Sequence, residues 1–322
     1  MFSFFSRKKS KSQQVTTVPV IECDWLQNHV SIQDKLPRVN WQSAHEFVEQ
    51  NLSSQDPDIL WTNVARKWGE ILVEALRADY QFIETENFIL ISAGEQRFNS
   101  ILSAYLERCR KRILLNSEGI SADEGFGKYV VIVFSDVQSY YDYVAYFYGT
   151  EVGTYGLSSG MFINDGYGHF VLVDRDINEI ELIIAHEMTH ALLSHLNLPA
   201  WVDEGMAMNM ESLITGARVE GLTESIFEGH LSFWNDETIQ EFWRGESFFR
   251  DDEGQRLSYQ MAQLLISRLA REYDAFCEFI NRVDRNDGGE NAMQEVYGIS
   301  LGDLAASFLG EGEWQPEPKT WN

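Results

Sequence analysis

The chain has 322 residues, 44% of them hydrophobic and 13% aromatic, with 25 Lys and Arg against 50 Asp and Glu for a formal net charge of −25. That size and composition suit a globular protein with a sizeable core, and the charge argues against nucleic-acid binding because phosphates would be repelled. Three cysteines set far apart, Cys23, Cys109 and Cys277, fit a reducing compartment and exclude a cysteine zinc cluster.

At the amino terminus, Met1-Phe2-Ser3-Phe4-Phe5 precedes the basic residues Arg7, Lys8, Lys9 and Lys11. The apolar part is too short and comes too early for a signal peptide, so residues 1–14 are expected to be a disordered basic tail. No later stretch reaches the roughly 18 apolar residues of a membrane span, and the chain is expected to be soluble and cytoplasmic. Residues 15–78 read as an irregular and helical extension, a wrapping or partner-recruiting segment to about Asp56 and then a helix over Asp58–Leu76. An α/β lobe over 79–175 follows, with strands at Tyr80–Glu84 and Asn87–Ser92, a helix at Glu95–Leu115, a nearly all-apolar strand at Tyr129–Phe134 and a helix at Val137–Tyr148. Tyr140, Tyr141, Tyr143, Tyr146 and Tyr148 on that last helix read as packing rather than a binding box. Two more strands are expected within Gly153–Asp174, joined at Asn164-Asp165-Gly166-Tyr167-Gly168.

The next element carries the chemistry. Asp176–Leu196 reads as a helix, with Asp176 as cap, Glu179 completing a capping-box-like start, and no Pro or Gly until Asn197 and Pro199 end it. Inside lies the pentad His186-Glu187-Met188-Thr189-His190. Histidines four apart project from one helix face and can reach one metal ion, while Glu187, rotated by about 100°, can approach a metal-bound water without being a ligand. The segment His45-Glu46-Phe47-Val48-Glu49 lacks the second histidine and reads as solvated helix. His195 is one residue out of register for a third histidine ligand and reads as a helix-end residue favoured by the dipole.

After Pro199 a second helix is expected near Trp201, turning Glu204 back toward the pentad. Trp201, Glu204, Gly205 and Ala207 resemble the W-x-x-E-G-x-A pattern of the gluzincin metallopeptidases. The resemblance implies that Glu204 is the third zinc ligand beside His186 and His190, that Glu187 is the general base, and that Gly205 and Ala207 permit close helix packing. It also implies a supporting carboxylate for a zinc histidine, Glu211 or alternatively Asp203. It further implies an edge strand near Ser159–Asn164 that pairs with substrate backbone, and a tyrosine, Tyr259, that donates to the oxyanion. Met261 and Ala262 stand where the family has Lys and Gly after that tyrosine, and the aminopeptidase signature Gly-x-Met-Glu-Asn is absent, which points away from exopeptidase activity.

Beyond the second zinc helix the pattern is helical: Glu224–Trp234, Asp236–Trp243, Tyr259–Tyr273, Ala275–Val283, Ala292–Tyr297 and Leu301–Leu309. The tail Gly310–Asn322 is expected to be mobile, with Trp314 and Trp321 the two side chains able to dock. The whole order implies an α+β fold, with an α/β lobe over 79–175, a helical lobe over 176–310, a metal cleft between them and a mobile tail over 311–322, and the resemblance implies that this fold is zincin-like. The function implied is a zinc peptidase acting on peptides or proteins, more endopeptidase than aminopeptidase. Two alternatives are a catalytically silent scaffold that binds a partner through its N-terminal region, and a peptidase blocked by residues 15–56.

Overall fold

The computed structural model describes residues 23–33, 36–53, 56–76, 79–123, 127–148, 159–217 and 223–321. The expectations for residues 1–14, and for the parts of the extension and of the paired strands at 15–22 and 153–158, lie outside the described residues.

A short 3-10 turn, Asp24–His29, leads into a hairpin of β1 (Val30–Gln33) and β2 (Leu36–Val39), then α1 (Trp41–Asn51) and α2 (Pro57–Ala75). Asp56 caps α2 by accepting from the Asp58 amide, and Pro57 occupies the first turn, where its missing N–H costs nothing. The main sheet and its helices follow as β3 (Gln81–Glu84), β4 (Phe88–Ser92), α3 (Gln96–Asn116), β5 (Tyr129–Phe134), α4 (Val137–Tyr148), β6 (Gly160–Ile163), β7 (His169–Val173) and α5 (Ile177–Leu193). The strand order is β3-β4-β5-β7-β6. β4, β5 and β7 are parallel, and the edge strands β3 and β6 are antiparallel to their neighbours.

β4, β5 and β7 are buried along their whole length, as parallel strands covered on both faces must be. Successive residues point to opposite faces and so divide between two cores. Ile89, Ile91, Val130 and Ile132 meet Leu26, Val48, Leu60 and Tyr143, whereas Leu90, Val131 and Val133 meet Leu106, Ile180 and Ile184. The described part of the N-terminal extension is therefore a layer of this lobe, on the sheet face opposite α5. Tyr140 and Tyr143 are packing residues in that layer, and Tyr146 and Tyr148 stay exposed.

The second lobe is helical: α6 (Ala200–Thr215), α7 (Glu224–Phe233), α8 (Thr238–Arg244), α9 (Glu253–Leu269), α10 (Tyr273–Ile280), α11 (Glu290–Tyr297) and α12 (Leu301–Leu309). They enclose Trp201, Phe242, Trp243 and Phe279. The indole of Trp201 donates to the Gly288 carbonyl at 2.9 Å. The architecture is α+β, a small mixed sheet with its covering helices followed by an all-helical lobe. No helix among the described residues is long and apolar enough to cross a membrane.

Three local expectations are corrected. The β1–β2 hairpin was hidden by Pro37, which argues against a strand in general but fits a two-stranded ribbon, where every strand is an edge. Helix α9 begins six residues before Tyr259, because Asp252 accepts from the Gly254 amide at 2.9 Å and caps it; Tyr273, expected at its end, opens α10 instead. At the start of α5 Asp176 caps through the Asn178 amide, while Glu179 reaches Arg175 at 3.6 Å and leaves the capping box open. At the carboxyl end both named tryptophans dock: Trp314 is buried with its carbonyl accepting from Trp243, and the Trp321 indole donates to Gln240.

Candidate metal centre

α5 and α6 meet through a short connection broken by Pro199, so α6 turns back across the face of α5 that carries the pentad. The approach is close because position 205 is glycine. A Cβ there would lie 2.6 Å from both the Ala262 carbonyl oxygen and a methylene carbon of Ile266 on α9. α6 is thus seated on α9 from behind and presents Asp203, Glu204 and Glu211 toward α5.

The two imidazoles stack edge-on, with ring centroids 4.9 Å apart. Both turn Nε2 toward a single carboxylate oxygen, Oε2 of Glu204, at 3.2 Å from His186 and 3.5 Å from His190. Their outer nitrogens are backed by different carboxylates. Nδ1 of His186 lies 3.3 Å from Glu211, and Nδ1 of His190 lies 3.0 Å from Asp203. The two residues that sequence reasoning held as alternatives therefore serve one histidine each. An outer carboxylate that accepts a hydrogen bond from Nδ1–H fixes the tautomer and leaves the Nε2 lone pair pointing inward. His186, His190 and Glu204 lie close enough together to bind one metal ion, their ligand atoms all within 4.8 Å of one another.

The electrostatics follow from enclosure. Burial alone would depress the histidine pKa values, but Glu204 and Glu211 overcome it at His186 and raise it to about 9. At His190 burial is likewise overcome, by Asp203 and Glu204, and its pKa stands well above the ordinary value. Glu204 moves the other way: its burial penalty is outweighed by the two imidazoles, which hold its carboxyl far below the usual range. The centre is a place where positive charge is strongly favoured.

Glu187 is one residue round the helix and meets a different element. Its Oε2 accepts from the backbone amide of Phe162 on the edge strand β6, at 2.7 Å. Burial raises its pKa, partly opposed by the neighbouring imidazoles. Tyr259 on α9 faces the Glu204 carboxylate, and burial together with the Glu204 and Glu187 charges pushes its phenol pKa well up. Its ring packs edge-on against Phe248 at 5.2 Å between centroids. His195 lies past the end of α5, outside the cluster, and His45 on α1 packs its ring against Trp61 at 4.7 Å. The contact that sequence reasoning missed is the Phe162 amide. An edge strand was legible there, but not which backbone group would meet the pentad glutamate.

The sequence matches no protein-family model, and no curated protein is similar enough to be a detectable relative.

Proposed function

We propose that the chain is a zinc-dependent peptide-bond hydrolase of the gluzincin type, acting within peptides rather than at free amino termini. One observation carries this reading: two Nε2 atoms converge on one Glu204 oxygen while Glu187 sits beside them, anchored to an edge strand. Around a tetrahedral zinc with bonds of roughly 2.0–2.1 Å, neighbouring ligand atoms lie roughly 3.3–3.4 Å apart. The separations here, 3.2 and 3.5 Å, bracket that value. His186, His190 and Glu204 would hold the ion, and Asp203 and Glu211 would orient the rings. Bound there, zinc supplies Lewis acidity, lowering the pKa of water toward about 7 and polarising a carbonyl.

The chain's own groups then have distinct tasks. The Glu187 carboxylate takes a proton from the attacking water and delivers it to the nitrogen of the leaving amine, and its raised pKa suits a group that must hold a proton in between. The Phe162 amide fixes one of its oxygens, so the carboxylate is aimed before substrate arrives. The Tyr259 hydroxyl, already facing the cluster, is placed to donate to negative charge developing on the substrate oxygen. Free thiols at Cys23, Cys109 and Cys277 accord with a reducing compartment such as the cytoplasm.

The decisive experiment pairs elemental analysis with a quenched-peptide assay on wild type and Glu187→Gln. We expect one zinc per chain in both, and turnover lower in the variant by about 10²–10⁴-fold. Full activity in zinc-loaded Glu187→Gln would overturn the assignment, and zinc without turnover in wild type would make the chain a scaffold. Inhibition by residues 15–56 has no support from their described part, which packs on the sheet face away from α5.

A further inference from the structure

The side of α5 that bears Glu187 continues past the pentad. Ala191 and Ser194 follow Glu187 by four and seven residues, so the three share one stripe of the helix. Across from them, Phe162 on β6 and Asn164, one residue past the strand's end, line the same recess. A cavity of about 250 Å³ opens between these two surfaces, closed at its base by Tyr129 and Tyr167 and rimmed by His195. Phe162 belongs both to this cavity and, through its amide, to the Glu187 contact. Anything held against β6 and above Glu187 thus has this recess as its neighbour.

The lining defines what it accepts. The Tyr129 hydroxyl donates to Asp123 at 3.0 Å and the Tyr167 hydroxyl donates to the Lys128 carbonyl, so both phenols offer carbon surface rather than a free polar group. The Lys128 ammonium is held elsewhere, on Glu84 and the Thr85 carbonyl. Phe162 and Ala191 add to this carbon surface, which slightly exceeds the polar surface contributed by Asn164, Ser194, His195 and the neighbouring Gly127, Lys128 and Gly168. The volume is below the roughly 300–1,000 Å³ of a site for a whole small molecule and suits one bulky side chain.

We infer that this cavity is a specificity subsite of the cleft, taking one large apolar or aromatic side chain of a peptide substrate. The inference rests on the peptidase reading above. Substrate backbone is positioned along β6, and selection among sequences falls to the recess one to two helical turns beyond Glu187.

The test incubates the zinc-loaded full chain with a mixture of synthetic ten-residue peptides holding every amino acid at each position, and reads the cut sites by mass spectrometry. Phe, Tyr, Leu and Met are expected to be enriched at least about ten-fold at one fixed place relative to the cut. Ser194→Trp, which fills the recess from the exposed helix end, is expected to lower kcat/KM for a Phe-containing peptide at least about ten-fold relative to its Ala counterpart. Asn164→Trp fills it from the strand side and gives the same result if the first variant does not fold. Cleavage without that enrichment, or a Phe-to-Ala ratio unchanged in both variants, overturns the subsite and leaves the peptidase standing. No cleavage by wild type overturns the peptidase reading and the subsite with it.

Discussion

Two enclosed histidine settings in this molecule have opposite electrostatics. His169, on β7 in the α/β lobe, is fully buried; its Nδ1–H donates to the Tyr167 carbonyl at 2.6 Å, so its Nε2 accepts from the Tyr143 hydroxyl at 2.9 Å. Burial pushes its pKa down to about 4, and His230 in the helical lobe, with Nδ1 accepting from the Trp234 indole, falls to about 4 as well. His186 is nearly as enclosed, with 16% of its side chain exposed, yet its pKa rises to about 9. The difference lies in what backs the ring. Carbonyl, hydroxyl and indole partners satisfy a neutral imidazole, whereas carboxylates on both nitrogens favour a cation. Enclosure amplifies whichever partner chemistry the fold supplies, and the α5–α6 crossing supplies carboxylates.

Taking the outer carboxylates away breaks that contrast. Asp203→Ala and Glu211→Ala remove the Nδ1 partners while leaving His186, His190 and Glu204 in place, so each is expected to weaken zinc binding by about 10–100-fold. Competition against a chromophoric chelator measures it. Wild-type affinity in either variant would show that the ring it backs needs no orienting partner.

How much of this was legible in the sequence depended on how local the signal was. The bounds of β5, α4 and α12 follow from an apolar run, an aromatic helical period and an apolar helical period, each read within one segment; the structure adds the Ser300–Asp303 capping pair that starts α12. The pentad was legible because helical spacing puts His186 and His190 on one face, and Glu204 because Pro199 forces a turn before Trp201 and because Trp201, Glu204, Gly205 and Ala207 resemble the gluzincin pattern. Asp203 and Glu211 stood only as competitors, since choosing between them requires the angle at which α6 crosses α5. The Phe162–Glu187 contact and the recess beside Ser194 and His195 were not legible. Each joins a strand to a helix at least 25 residues on, and the pairing comes from the sheet order rather than from any local pattern. The start of α9 was missed for a smaller reason, a cap at Asp252 placed well before the apolar period becomes visible.

Acid sharpens the comparison from the other side. Burial holds the folded pKa of His169 at about 4, against about 6.5 for an imidazole in water, so between those values the unfolded chain binds a proton that the folded chain refuses. Its contribution to stability is fully present above the unfolded pKa and is lost as the pH falls toward the folded one. Between about pH 7 and about pH 5 that loss is about 2 kcal/mol for this one group. Urea unfolding at the two pH values should show a smaller loss by about that amount in His169→Gln, even if the variant is less stable at neutral pH. An identical acid loss in variant and wild type would mean that the buried ring is not held neutral.

The smallest expected effect concerns the helix that brings the carboxylates to the histidines. Gly205→Ala sets two terms against each other. Alanine favours a helix interior over glycine by about 1 kcal/mol. The added methyl, however, meets the Ala262 carbonyl and Ile266 at 2.6 Å, and overpacking of this kind costs about 1–3 kcal/mol. The Ile266 side chain can shift, but the carbonyl belongs to the middle of α9 and moves only with its helix. The packing term should therefore win, with a net loss of about 1 kcal/mol by urea unfolding. Because relief comes by lifting α6 off α9, Glu204 and Glu211 shift together relative to α5, and zinc affinity should fall along with stability. A stabilised variant with unchanged zinc affinity would show that α9 yields instead, and that the crossing of α5 and α6 is set by their own contact rather than by the helix behind them.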